Sequence, residues 1–343
     1  AVGALALLYS FRMLGLFMVL PLLALYAADM PGGTPLMIGI ALGAYGFSQA
    51  ILQIPLGWLS DRVGRVPVIL GGLVVFAIGS VVAGLAESVE GIALGRLLQG
   101  AGAIAGSVMA LVADITTDEQ RTKAMAIVGA SIGLSFALSL VLGPIIASFS
   151  GLHGVFLLTA ALATAGIAIV FFGVPRGVQS RHHDEVGAQP GMIGKVLADP
   201  ALRRLDFGVF SLHFILTASF LVIPFAIEDI LGVAREAHWK VYLPVLVASI
   251  LGMLPLLRAS ERHGHVRGML LLSIAMLVLS VAGVTLLAIP AVLYLALWLY
   301  FVAVNYLEAS LPSLVSKAVF PGGKGTALGV YSTSQFIGAF CGG

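Results

Sequence analysis

The sequence predicts an all-helical membrane protein that is built as a bundle of two matched halves. Of its 343 residues, 59% are hydrophobic and 10% are charged, whereas a soluble domain carries about 25% charged residues. Apolar stretches of about 18 residues or more, which suffice to cross a bilayer as a helix, recur along the chain. The 42 glycines suit close helix contacts inside lipid. This composition excludes a soluble enzyme, a nucleic-acid binder and a disordered protein.

Eleven apolar stretches are each predicted to span the membrane once. They cover residues 4–28, 36–59, 67–86, 91–113, 123–148, 153–173, 204–229, 239–257, 268–288, 290–314 and 325–343. The first stretch is too long for a signal peptide and lacks a basic start. Because the chain begins without Met and an odd number of spans leaves its tail on the outer face, we expect both ends to be trimmed and a twelfth span to be missing.

Lysine and arginine are distributed unevenly between the two sets of alternate loops. One set holds 14 of the 18 basic residues, and the other holds only Arg235 and Lys240. Basic loops remain in the cytoplasm during membrane insertion. The richer set, and with it the start of the first helix, is therefore predicted to face the cytoplasm.

A polar segment divides the predicted spans into six and five. It covers about 174–203, and its composition is typical of a cytoplasmic linker, with a short interfacial helix predicted at 192–198. The predicted domains are an N-terminal six-helix bundle, the linker and a truncated C-terminal bundle, at 1–174, 175–203 and 204–343.

Two short segments of the first half recur in the second half at an offset of about 200 residues. The segment 61–65, with sequence DRVGR, recurs as ERHGH at 261–265, and the segment 121–125 recurs at 324–328. Parallel halves related by an axis along the membrane normal are one known transporter plan, which places the substrate site between them near mid-membrane.

Three motifs carry a resemblance to a known family. Residues 57–65, with sequence GWLSDRVGR, resemble the G-x-x-x-D-R-x-G-R loop signature of the major facilitator superfamily. Residues 96–100 resemble the R-x-x-Q-G motif of that family. Gly143 and Pro144 are similar to the motif of its antiporter branch, although Ala147 and Ser148 stand where that branch usually has glycines. The resemblance is greatest to bacterial proton-coupled drug-efflux antiporters, and it implies two pseudo-symmetric six-helix halves.

The first motif and the acids near it form a predicted conformational gate. Its members are Gly57, Asp61, Arg62, Gly64, Arg65, Asp114, Asp118 and Arg121. Gly57 would allow close helix contact, and Gly64 a tight turn. Asp61 would face the positive N-terminus of the eleventh span. The two arginines would pair with Asp118 or Glu119, and Asp114 with Arg121. In the alternative, the arginines only obey the positive-inside rule and Asp61 only caps a helix.

Six polar residues inside the spans form a predicted proton-coupling site or substrate cavity, since an intramembrane charge is costly and commonly functional. They are Arg12, Arg96, Gln99, His213, Asn305 and Glu308. Structural alternatives remain for several of them. Arg96 could bond backbone carbonyls of the first span, Glu308 could tie helices together as a neutral acid, and His213 could be a bonded core residue. Arg12 could attract an anion, pair with an acid or extend to the interface.

The function implied by the resemblance is secondary active transport in a bacterial inner membrane by alternating access. No nucleotide-binding or hydrolase motif is present, and the single Cys341 excludes an internal disulfide framework or a zinc cluster. We therefore expect no enzyme activity, cofactor or metal. The expected partners are the lipid bilayer, a small-molecule substrate and protons, with no nucleic acid, and the expected state is a monomer.

Few hydrogen-bonding side chains lie inside the spans, which favours proton-coupled efflux of small amphipathic or hydrophobic compounds. Two alternatives remain open at this point. One is proton-coupled uptake of a small metabolite, which could be anionic and bind Arg12 and Arg96. The other is a non-transporting sensor or channel on the same fold.

Overall fold

The computed structural model describes residues 2–174 and 189–343, apart from the side chains of Asp118, Thr122, Pro190 and His263. Those residues form fourteen α-helices and no strand, which confirms the all-helical prediction. The helices are α1 Val2–Met18, α2 Leu20–Ala27, α3 Pro35–Val63, α4 Arg65–Gly84, α5 Val89–Ala101, α6 Ala105–Asp114, α7 Asp118–Gly173, α8 Pro190–Ala198, α9 Pro200–Phe220, α10 Ile223–Leu231, α11 Trp239–His263, α12 Val266–Leu286, α13 Pro290–Ala318 and α14 Lys324–Gly342.

Three of the predicted spans are each two helices. The first is interrupted at Val19, the fourth at 102–104, and the seventh bends by 41° between α9 and α10. Proline follows two of these interruptions, at Pro21 and Pro224, where its missing N–H costs no hydrogen bond. Such breaks leave backbone groups near mid-span that side chains can bind.

The number of membrane crossings stays a prediction. Among the described residues, eight helical segments are long and apolar enough to cross a membrane, or nine if α9 and α10 form one span. One of the eight is the 55-residue segment Glu119–Gly173, which as a straight helix would be roughly 80 Å long. Within it Gly151 adopts φ 63° and ψ −169°, a conformation that glycine reaches without a Cβ clash. The predicted boundary between the fifth and sixth spans falls at this residue.

The helix pairings of the first half recur in the second half. In the first half α1 packs along α7, α3 against α5, and α4 against α5. In the second half α9 packs along α14, α11 against α13, and α12 against α13. Each pair occupies the corresponding place in its half, so the pairing pattern agrees with the predicted pseudo-symmetry.

The largest contacts between the halves are those of α3 with α14 and of α7 with α11, and α2 also contacts α9 and α10. We call the end that carries the segment 61–65 the basic end, and the other the opposite end. Helix α3 runs toward the basic end and α14 runs away from it. Toward the opposite end a methyl group on Gly43 or Gly46 would overlap backbone atoms of α14, and one on Gly39 would overlap Gly343 just after it, so the two backbones are in direct contact there.

The end of the predicted linker is helical. Helix α8 covers the predicted helix at 192–198, and the N–H of Gln189 donates to Thr326 Oγ1 of α14 over 2.8 Å. Helix α9 begins at Pro200, four residues before the predicted span, because the Asp199 carboxylate accepts from the N–H of Ala201 at 2.8 Å. Residues 175–188 of the predicted linker lie outside the described residues.

Candidate functional site

A polar cluster in the second half joins three helices near mid-span. His213 of α9 lies 3.0 Å from Glu308 of α13, measured from Nε2 to Oε1. The same Nε2 lies 2.8 Å from Nε2 of Gln335 on α14. The His213 side chain is 11% exposed, whereas that of Glu308 is 38% exposed. The Glu308 side chain is therefore partly open to its surroundings, whereas the imidazole is almost fully covered.

The backbone fixes which nitrogen of His213 can exchange a proton. Nδ1 lies 3.2 Å from the carbonyl oxygen of Val209, which can only accept, so Nδ1 carries a hydrogen. In the neutral ring Nε2 then accepts, from the Gln335 amide or from a protonated Glu308. In the charged ring Nε2 donates to the Glu308 carboxylate. The 3.0 Å contact between Nε2 and Oε1 is therefore a hydrogen bond only when one proton lies between the two atoms.

Sequence reasoning named His213 and Glu308 separately and missed three neighbours. Gln335 completes the cluster, and Asp206 and Tyr331 lie beside it at 8% and 4% exposure. Asp206 precedes His213 by seven residues, or about two helical turns on one face. That spacing was a signal available in the sequence. The predicted cavity residue Asn305 is not part of this cluster, because its Nδ2 donates to Ser249 Oγ of α11 over 3.2 Å.

Arg12 lies inside the first half, 1% exposed, at the break between α5 and α6. Its Nη2 donates to Tyr45 Oη at 3.0 Å, to Gln49 Oε1 at 3.1 Å and to the Gly102 carbonyl at 3.2 Å. The last contact binds a carbonyl group at the end of α5. Arg12 thus does not extend to an interface, and no carboxylate among the described residues pairs with it. Its position indicates that it stabilises the broken fourth span.

Arg96 and Gln99 share a second buried pocket in the first half. Arg96 is 2% exposed, and its Nη1 donates to Gln99 Oε1 over 3.1 Å while Nη2 donates to the carbonyl of Leu42 over 3.2 Å. The backbone partner is therefore on α3, not on the first span as the structural alternative assumed. Both arginines lie near the Tyr45 ring, with guanidinium carbons 5.9 Å and 5.2 Å from its centroid.

The predicted gate centres on Arg65, which is 7% exposed. Arg65 pairs with Asp61 one turn earlier, its Nε lies 3.3 Å from Asp114 Oδ2, and its Nη1 donates to Ser60 Oγ over 2.8 Å. Gly64 makes the predicted tight turn with φ 100°. The network thus ties the ends of α3 and α6 to the start of α4.

Several predicted gate contacts are different in the structure. Arg65 pairs with Asp61 and Asp114, and among the described side chains it does not pair with the predicted partner Glu119. Asp61 makes no cap on α14. Gly57 does not bring helices together here, since no described atom lies within 4 Å of a Cβ built on it.

The structure also gives the positions of two further predicted gate residues. Arg62 is exposed, and Arg121 lies in the first turn of α7. The Asp118 side chain lies outside the described part of the chain.

The Gly143–Pro144 motif of α7 packs against the break in the first span. A Cβ on Gly143 would lie 3.0 Å from the Met18 carbonyl oxygen and 3.5 Å from Leu22. Ala147, which replaces a glycine of the resembled motif, is 3% exposed. Glycine at position 143 therefore allows α7 to approach the backbone between α1 and α2.

An ion pair that sequence reasoning missed joins the halves at the opposite end. Arg235 Nη1 lies 3.0 Å from Asp29 Oδ2, and its Nε lies 3.5 Å from Glu228 Oε1. The guanidinium also stacks on the Tyr26 ring at 5.2 Å. His238, three residues after Arg235, is 1% exposed. These contacts close the opposite end.

Comparison with known proteins agrees with this architecture. Residues 5–343 match the model of the Major Facilitator Superfamily. The chain is 46% identical over 338 residues to the inner membrane transport protein YajR of Escherichia coli strain K12, covering 98% of this chain and 74% of the relative. It is 24% identical over 331 residues to the multidrug resistance protein MdtH of Aeromonas salmonicida strain A449, covering 96% of this chain and 82% of the relative.

A solved structure shares the fold. It is that of a bacterial homologue of the human lysosomal transporter Spinster in an inward-facing and occupied conformation, with a TM-score of 0.79 and 15% identity over 99% of this chain and 79% of that chain.

Proposed function

The chain belongs to the Major Facilitator Superfamily and is a multi-pass membrane transporter, and from this premise we propose that it exports small amphipathic or hydrophobic compounds in exchange for protons. The observation that carries the proposal is the His213–Glu308 pair, with 3.0 Å between Nε2 and Oε1. The pair shares one exchangeable proton and leaves one carboxyl group accessible. A substrate and a proton can therefore compete for Glu308, which is the basic requirement of exchange.

The charges of the two halves favour export over uptake of an anion. Arg12 and Arg96 are 1% and 2% exposed and bonded to groups of their own half, so neither guanidinium is open to an anionic ligand. The accessible polar group is the carboxyl of Glu308. The similarity to a multidrug resistance protein is consistent with export.

We further propose that the basic end faces the cytoplasm of a bacterial inner membrane, since basic loops remain on that side. The domains would be 1–174 and 204–343, joined by a linker at 175–203, and one chain would suffice for function because both halves contribute to its closed end. With the opposite end closed by Arg235 and Asp29, the structure would be the inward-facing state. Protons entering down a 100 mV potential would supply about 2.3 kcal/mol each.

The test is flux in proteoliposomes with an imposed pH gradient, using lipophilic fluorescent dyes and a luminal pH indicator. Wild type should move dye against proton flow. Glu308→Gln should reduce gradient-driven dye movement by about 100-fold, because the amide cannot bind the exchanged proton. Glu87→Gln, which alters an exposed carboxylate between α4 and α5, should transport normally. Normal driven transport by Glu308→Gln, or dye moving in the same direction as protons, would contradict the proposal.

The orientation has a separate test based on single cysteines. In a Cys341→Ser background, Glu87→Cys lies at the opposite end and Arg262→Cys at the basic end, and both positions are exposed. In intact cells a membrane-impermeant maleimide should label the first variant and spare the second. In inverted vesicles the pattern should reverse, and labelling of Arg262→Cys in intact cells would overturn the orientation.

A further inference from the structure

The side chain of Asn305 presents an unused hydrogen-bond acceptor near Glu308. Ser249 Oγ donates its one hydrogen to the carbonyl oxygen of Leu246 over 2.8 Å, so toward Asn305 it can only accept. Asn305 therefore turns its amide nitrogen to Ser249, at 3.2 Å, and its Oδ1 the other way. Oδ1 accepts no hydrogen bond from a described residue, and it is not fully buried. This oxygen is therefore open to a donor from a ligand.

Asn305 and Glu308 together form an acceptor pair on α13. They lie three residues apart, so their side chains project from one face of the helix about one turn from each other. Glu308 uses Oε1 for the contact with His213, while its side chain is 38% exposed and its Oε2 has no partner in the described part of the chain. The acceptor pair thus offers two free oxygens to the same ligand.

No positively charged side chain neutralises the acceptor pair. Among the described residues only His213 lies within ion-pair distance of Glu308. The other charged groups on α13 and on the helices packed against it lie within about two turns of a helix end, and they are Arg203, Arg204, Asp206, Glu228, Asp229, Lys240, Arg258, Glu261, Arg262, Arg267, Lys317 and Lys324. The remaining titratable groups there cannot carry a positive charge, and they are Tyr242, Tyr294, Tyr300, Tyr306, Tyr331 and Cys341. When the proton between His213 and Glu308 leaves, the pair therefore carries one negative charge.

An aromatic cluster lies beyond the acceptor pair, toward the opposite end. Phe301 precedes Glu308 by seven residues, which is two turns or about 10 Å along α13. Its ring lies 6.4 Å from that of Phe136 on α7. The Phe136 ring lies 6.4 Å from Phe220 and 5.2 Å from Phe17, and both Phe136 and Phe17 are only partly buried. Aromatic rings accept apolar groups and attract cations.

We propose that the acceptor pair binds the amino group of a monovalent amphipathic organic cation, whose apolar part lies against the aromatic cluster. The inference rests on the proposed function and names its substrate class. The N–H groups of the cation donate to Asn305 Oδ1 and to the Glu308 carboxylate. Since the carboxylate holds either one proton or one cation, the two are exchanged one for one. No net charge then crosses the membrane, and the pH gradient alone drives export.

The first test measures the effect of membrane potential on export in proteoliposomes. The probes are rhodamine 123, a monovalent cation with amino groups, and the neutral dye Nile red, with protein-free liposomes as the blank. At a fixed pH gradient, a potential of 100 mV set by potassium and valinomycin should change rhodamine 123 accumulation by less than about 2-fold. Exchange of a neutral compound for one proton would instead change accumulation by about 50-fold.

The second test concerns Asn305. Asn305→Ala should raise the KM for rhodamine 123 by about 10-fold, because one acceptor for the charged amino group is lost, and it should leave kcat within about 2-fold. Asn305→Asp, which retains an oxygen acceptor, should keep KM within about 3-fold of wild type. Ser313→Ala, at an exposed residue of α13, is the matched control and should not change KM.

The outcomes separate this inference from the proposed function. An unchanged KM in Asn305→Ala, or a response of about 50-fold to the potential, would overturn the cation site. If Nile red is driven by the pH gradient in a manner that requires Glu308 and rhodamine 123 is not, the substrate class is wrong and proton-coupled export stands. If the pH gradient drives neither dye, the proposed function fails and this inference fails with it.

Discussion

Gly43→Leu and Gly57→Leu are each expected to reduce transport by roughly 100-fold or more, but by trapping opposite states. A Cβ on Gly43 would lie 2.7 Å from the carbonyl oxygen of Phe340 and 3.1 Å from its Cα. Overpacking costs about 1–3 kcal/mol even where side chains can move, and here the obstacle is backbone. The larger residue would hold the opposite end open.

At Gly57, leucine is expected to trap the state opposite to the one that Gly43→Leu traps. Gly57 follows Gly39 by 18 residues, about five turns, and therefore lies on the same face of α3. No described atom lies within 4 Å of its Cβ position, so leucine fits this state without a clash. If alternating access brings the basic end together, Gly57 must then contact the second half. Leucine would oppose that closure and hold the present state.

The two variants are distinguished by cysteine accessibility at both ends of the cavity. Gly43→Leu should increase labelling at the opposite end, and Gly57→Leu should leave it as closed as in wild type. Gly71→Leu is the control, since Gly71 is an exposed glycine on α4 with open space around it. A Gly43→Leu protein with normal transport would show that the α3–α14 contact need not separate. Equal shifts of both variants toward one state would contradict the gate.

The sequence predicted the class of fold because apolar spans and basic loops are direct consequences of the bilayer. It did not predict the breaks within spans. The carbonyl of Gly102 is bound by Arg12, which is 90 residues away in sequence, and no local pattern joins the two. A pattern of apolar residues therefore locates a span but does not reveal where a distant side chain replaces a helical hydrogen bond.

In the candidate site, too, the sequence predicted individual residues but not the contacts between them. His213 and Glu308 are unusual in apolar helices, which is why each was singled out, but their pairing depends on how α9 packs near α13 and α14. Asp206 was not predicted because it follows Arg203 and Arg204 at the end of a span, where acids are common. Its burial follows from the packing of α9 against α14, which sequence periodicity alone does not determine.

The gate motif illustrates both the strength and the limit of a resemblance. The resembled motif contains Arg65 and Asp61, the predicted gate adds Asp114, and the structure joins all three. The predicted partners of Arg65 were Asp118 or Glu119, and Asp114 was predicted to pair with Arg121. Spacing places residues at one end of a bundle, but helix packing decides which of several nearby acids an arginine reaches.

The second large expected effect is a loss of stability when the Arg65 network is broken. Arg65→Met is expected to lower the free energy of unfolding by about 3–5 kcal/mol, the usual cost of removing one partner from a buried ion pair. The Arg65 side chain is 7% exposed and that of Asp114 is fully buried, so water cannot replace the lost cation at the acid. Unfolding in detergent should occur roughly 5–10 °C lower than for wild type.

A double variant separates charge from packing in this effect. Arg65→Met combined with Asp114→Asn removes the cation and the charge of the buried acid together, and it should recover at least half of the loss. Arg62→Met, at the exposed neighbouring arginine, should change stability by less than about 0.5 kcal/mol. If the double variant is as unstable as the sum of its single variants, the carboxylates do not depend on Arg65. The ion pair would then not hold α3 or α6 to the start of α4. It could not stabilise one conformational state of the gate.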